Sequence, residues 1–128
     1  MNPSKKTSPS GEACDRPVFD ASVLSTMFDN EQTLIANLLQ TFVSSTRANM
    51  AALLQAMATQ DLPAVAALAH KIAGASRMSG ALALGDCAHS LEQTAKRGDA
   101  TALPHGAADL EAKWALALAD IAKQVSLS

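Results

Sequence analysis

The chain is 128 residues long, 48 % hydrophobic and 17 % charged, with a formal net charge of −2. That is the size of one domain with apolar material for one core, and without a basic field it offers no footprint for nucleic acid. No apolar run approaches the ~20 residues that span a bilayer, which argues against direct membrane contact. The start carries Lys5 and Lys6 with no apolar segment behind them, so it does not read as a secretory signal.

Ala and Leu dominate the apolar set, while aromatics are only 3 %, with one Trp and no Tyr. Ala and Leu lose little freedom in a helix, so the composition favours helix over sheet. Cys14 and Cys87 form neither a disulfide framework nor a zinc spacing, and a reduced, cytoplasmic setting is the simplest expectation.

Residues 1–16 are rich in Ser, Pro, Lys and Thr and read as a disordered tail or linker ahead of a domain spanning 17–128. Pro17-Val18-Phe19 brings the chain onto the core. Asp20 is placed to cap a short helix reaching about Phe28, because its carboxylate accepts the free N–H groups of a first turn. Asp29 or Asn30 is expected to cap a long second helix ending near Gln60, with Leu34, Leu38, Phe42, Val43, Met50, Leu53, Leu54 and Met57 at helical spacing. Asp61-Leu62-Pro63 starts a third helix running to about Met78, since Asp caps and Pro is tolerated in a first turn. Ser79 is expected to cap a fourth helix that stops near Arg97-Gly98. Pro104 opens a fifth, bearing Leu110, Trp114, Leu116, Leu118, Ile121 and Val125. With no hairpin signal and short connections, the expected fold is all-α: an antiparallel four-helix bundle with a short extra N-terminal helix.

The third helix has an unusual face. Val65, Leu68, Ile72 and Ser76 form its core stripe, and His70 lies roughly 140° around from Val65. The turns flanking His70 carry Ala66, Ala67, Ala73 and Gly74, where a surface helix ordinarily carries Lys, Glu or Gln. Gly inside a helix costs on the order of 1 kcal/mol relative to Ala, so its presence suggests that something comes close. Neutral imidazole keeps one nitrogen lone pair at physiological pH and is a ready nucleophile. The cations Lys71 and Arg77 nearby favour the negative charge of a phosphorylated product. Taken alone, a single exposed His on a helix is usually no more than a solvated side chain. The surrounding residues change that balance.

The run Ala69-His70-Lys71-Ile72-Ala73-Gly74-Ala75-Ser76, followed by Gly80-Ala81 and later Leu91-Glu92, resembles the histidine-containing phosphotransfer (HPt) domains of bacterial multistep phosphorelays. The resemblance implies that His70 accepts a phosphoryl group from a receiver-domain aspartate and passes it to the aspartate of another receiver in two-component signalling. The chain would then be a covalent carrier rather than an enzyme. It would have no cofactor of its own, and Mg²⁺ would come with the partner receiver. The partners implied are receivers of a hybrid sensor kinase and of a response regulator, with no small-molecule substrate. The setting is either free-standing or the cytoplasmic C-terminal part of a hybrid kinase, which the linker-like start favours. Arg77, Lys71, Gly74 and Glu92 are expected to support the phosphoryl group, Glu92 as a group steadying the other ring nitrogen. Ala66, Ala67 and Ala73 are expected to form the docking patch. The sequence departs from the family at one position, where the usual Lys three residues after the His is Ala73. That departure keeps open a docking module of the same fold whose His is not phosphorylated.

The other histidines offer little. Cys87 and His89 fall on different helix faces, so no metal pair is expected, and His105 sits in a first turn facing solvent. A general-base enzyme at His70 is disfavoured, because no carboxylate lies a turn away on its own face. No Gly-rich phosphate loop is present.

Overall fold

In the computed structural model the described residues are 16–125, and they contain helices and turns but no strand. Five helices follow in order: α1 Ser22–Met27, α2 Gln32–Ala58, α3 Leu62–Ser79, α4 Leu82–Lys96 and α5 Leu103–Ala122. α3 packs between α2 and α4, and α5 closes the ring against α4 and α2, while short α1 rests on α3. This is the expected antiparallel four-helix bundle. Its centre is filled by Leu39, Leu53, Val65, Ile72, Leu84, Leu91, Leu110 and Ile121, all essentially inaccessible. Trp114 of α5 packs edge-on against Phe42 of α2, with ring centroids 6.1 Å apart. Leu34 and Leu54, although at helical spacing with this core, remain exposed.

The helix starts differ from expectation in two places. Asp61 does cap α3, its Oδ1 accepting from the Ala64 N–H at 3.2 Å. Asp29 and Asn30 do not cap α2. They turn the chain with φ of 54° and 61°, and Glu31 holds the cap position without a side-chain bond. Asp and Asn suit both jobs, since they cap helices and also tolerate left-handed backbone; the tight reversal between α1 and α2 demands the second. Ser79 likewise ends α3 instead of capping α4, whose cap position is Ala81. The free donors there are satisfied by main chain: the Ala83 N–H donates to the Pro17 carbonyl at 3.0 Å. The Asp20 N–H in turn donates to the Gly80 carbonyl at 2.7 Å.

The segment before α1 is therefore a strap laid over the α3–α4 corner. Residues 1–15 of the proposed tail lie outside the described residues. Arg16 belongs with the strap, its Nε 3.4 Å from Asp86 Oδ2. Cys87 is buried in α4 and disulfide-bonded, where a reduced thiol was expected; Cys14 lies outside the described residues.

Gly80 is the residue on which this corner turns. Its φ is +92°, and a Cβ there would collide with the Asp20 carbonyl oxygen of the strap. Gly80→Ala is expected to lower stability by about 1–3 kcal/mol, through backbone strain and displacement of the strap. A urea-unfolding midpoint equal to that of the unsubstituted protein would contradict this account.

Candidate functional site

The site is built where α3 and α4 approach each other. Along α4, Ala81, Gly85, Ala88 and Glu92 recur at helical spacing and all are buried. Along α3, Ala69, Ala73 and Ser76 are buried beside them. These short side chains let the two helices lie close. At Gly85 the approach leaves no room for a side chain, since an added Cβ would stand 2.8 Å from Arg77 Cγ and 3.3 Å from the Ala73 carbonyl. His70 lies two turns before Arg77, and Glu92 lies two turns after Gly85. In an antiparallel pair, the register that seats Arg77 over Gly85 therefore also brings His70 level with Glu92.

There the His70 Nδ1 stands 3.3 Å from Glu92 Oε1 and 3.2 Å from Oε2. An ionised carboxylate can only accept, so the ring carries its proton on Nδ1 and donates it. The lone pair is left on Nε2, which takes no part in the contact with Glu92. The His70 side chain is 76 % exposed and that of Glu92 only 5 %. A nucleophilic nitrogen thus faces solvent, while its orienting partner is shielded from water, where the bond is stronger.

Glu92 is a meeting point for cations. Lys96 Nζ lies 2.9 Å from Oε2, and His89 Nδ1 lies 3.8 Å from Oε1. The Lys96 ammonium holds the Glu92 carboxyl below its ordinary value near 4.5, with His70 adding to the effect against burial, which pushes it up.

The other expected site residues divide. Gly74 is exposed, with open space where a Cβ would stand, and Ala67 is exposed and Ala66 half-buried, so the surface beside His70 is low. Ala73 is not part of that surface. It is 3 % exposed, because the close approach of α4 at Gly85 covers it. Lys71 is exposed and lies about 100° around α3 from His70. Arg77 turns toward α4, where its Nη2 sits 3.3 Å from Asp86 Oδ1. Cys87 is buried and His89 exposed, so the two fall on different faces of α4, and no group of three or more metal-ligating side chains occurs among the described residues. His105 is exposed, 3.5 Å from Asp109. Lys96 was not singled out from sequence, although its spacing of four from Glu92 is the usual signature of a helical ion pair.

An exposed imidazole on a four-helix bundle, oriented by a buried carboxylate of the next helix, defines a class of histidine carriers. The Hpt domain family matches residues 37–125, which hold α3, α4, α5 and most of α2, and the chain belongs to that family. It is similar to the histidine-containing phosphotransfer protein B (HptB) of Pseudomonas aeruginosa PAO1, known from a crystal structure. The two share 27 % identity with a TM-score of 0.74, over 80 % of this chain and 90 % of that one. No curated protein sequence matches the chain. Family membership carries the coarse role with it, histidine phosphotransfer in a phosphorelay. No helix among the described residues is long and apolar enough to cross a membrane.

The lowered Glu92 value has a pH consequence with a definite sign. A depressed carboxyl contributes stability that is fully present above its unfolded value, near 4.5, and is lost as pH falls through the lower folded value. The carboxyl's share of the stability difference between the unsubstituted protein and Glu92→Gln should therefore be lost in acid, as pH falls below about 4.5. Urea titrations of both proteins from neutral pH downward check this. A difference that stays unchanged as pH falls through the acid range would contradict it.

Proposed function

We propose that the chain is a phosphorelay carrier that takes a phosphoryl group from the aspartyl phosphate of one receiver domain onto His70 Nε2 and delivers it to the aspartate of a second receiver. The observation that carries this reading is the contact of the His70 Nδ1 with both Glu92 oxygens beneath a largely exposed ring. Loading proceeds as the Nε2 lone pair forms the P–N bond while the P–O bond to the donor aspartate breaks, and that carboxylate leaves. Nδ1 keeps its proton throughout. The ring gains positive charge as it attacks, and the Glu92 carboxylate at 3.2 Å favours that charge. Delivery to the second receiver is the same displacement in reverse.

Nothing in this scheme asks the chain to catalyse alone. The phosphoryl group is stabilised during transfer chiefly by the receiver, whose Mg²⁺ completes the site when the two surfaces close. The chain's part is to hold one nitrogen at a fixed position and orientation and to offer a surface low enough to be covered. Ala66, Ala67 and Gly74 give that clearance, and the exposed Met78 extends the apolar surface about one turn further along α3. The partners in this reading are receivers of a sensor kinase and of a response regulator. The sequence alternative, a docking module without phosphorylation, gains no support from a histidine so oriented.

Incubation with a phosphorylated receiver is expected to place on the chain a label that is acid-labile and base-stable. His70→Gln should abolish it. Ala67→Glu, on the exposed surface, should slow loading from the receiver roughly tenfold by obstructing docking, without loss of helicity. A label that survives His70→Gln, or no label on the unsubstituted protein, would overturn the proposal.

A further inference from the structure

Phosphorylation brings about −1.5 to −2 charges to a ring that already stands against the Glu92 carboxylate. A cation is needed within reach of Nε2, and the helix that carries His70 does not supply one. Residue 73 is an alanine, and a buried one. Arg77 has its guanidinium on Asp86, which also holds Arg16, and its stem lies over Gly85. Lys71 projects about a quarter-turn away from His70 around α3. His89 meets the opposite oxygen of Glu92 at 3.8 Å and is cationic only when protonated.

Lys96 differs from all of these. Its Nζ and the His70 Nδ1 touch the same carboxylate oxygen, at 2.9 Å and 3.2 Å. Its side chain is 58 % exposed, so its end is free to re-aim. A lysine stem has four rotatable methylenes and carries its charge as a compact point, so it changes partner without backbone movement. We propose that Lys96, held in reserve on Glu92, is the residue that binds the phosphoryl group once it stands on His70 Nε2. This rests on the carrier reading above. The ammonium moves from the carboxylate to the phosphoryl oxygens, leaving Glu92 to His70. The cation is thus supplied from α4 rather than from the helix of the histidine.

The test is a ³¹P NMR titration of the chain loaded with phosphoramidate, a small-molecule phosphoryl donor whose P–N bond breaks to release ammonia. A cation against the phosphoryl oxygens lowers the pH at which they take up a proton. Lys96→Met should therefore raise the titration midpoint by about 0.5–1 pH unit, and Lys96→Arg should restore most of the shift. The same substitution in a Glu92→Gln background separates direct contact from an effect relayed through the carboxylate. If Lys96 meets the phosphoryl group itself, its removal still raises the midpoint there.

Coincident midpoints for the unsubstituted protein and Lys96→Met would overturn the proposal. So would an effect that vanishes in the Glu92→Gln background. A different result bears on the carrier reading: if the unsubstituted protein gives no phosphohistidine signal, that reading fails first.

Discussion

The close packing of α3 on α4 is the constraint from which the rest of the site follows. It depends on residues with almost no side chain, Gly85 and Ala88 on one helix and Ala69 and Ala73 on the other. Larger residues would separate the helices and take Glu92 out of reach of His70. With the helices close, a buried carboxylate stands directly under an exposed ring and fixes which nitrogen bears the proton. Close packing also fixes register, because the turn at Gly80-Ala81 is short and is tied down by the strap through Pro17 and Asp20. Structure and chemistry are therefore coupled: the corner that sets the register of two helices also sets the tautomer of one histidine.

The same packing sorts the charges. α4 presents two buried carboxylates toward α3, Asp86 and Glu92, at 8 % and 4 % exposure. Buried carboxylates are costly unless paired, and each has found cations. Asp86 takes Arg16 and Arg77 and secures the strap end of the bundle, while Glu92 takes Lys96 and the imidazole. The first group holds the fold together. The second leaves an exposed imidazole outside and a partly exposed ammonium against the same carboxylate.

Much of this was legible in the sequence. Leu and Ala at helical spacing gave the order and lengths of the helices, Asp61-Leu62-Pro63 marked a true start, and the wheel of the third helix correctly turned His70 outward. Two caps were misassigned because Asp29, Asn30 and Ser79 have side chains equally suited to a cap and to a turn, and the choice is made by chain reversal and by the strap. Ala73 was placed on the open surface because a wheel gives directions on one helix and says nothing of how near the next one comes; Gly85 on α4 decides that. Glu92 was noticed as part of a family word, but its contact with His70 depends on the register between two helices. Lys96 was missed for the same reason, despite its visible spacing from Glu92, since an ion pair on a helix surface ordinarily has no further consequence.

The central claim is that Glu92 holds the proton of His70 on Nδ1 and so reserves Nε2 for the phosphoryl group. Nitrogen-15 NMR of the imidazoles near neutral pH measures this directly. The account predicts a His70 with a protonated Nδ1 and an unprotonated Nε2, a preference that weakens in Glu92→Ala. A ring with the proton on Nε2, or one whose two tautomers are unaffected by loss of the carboxylate, would contradict it.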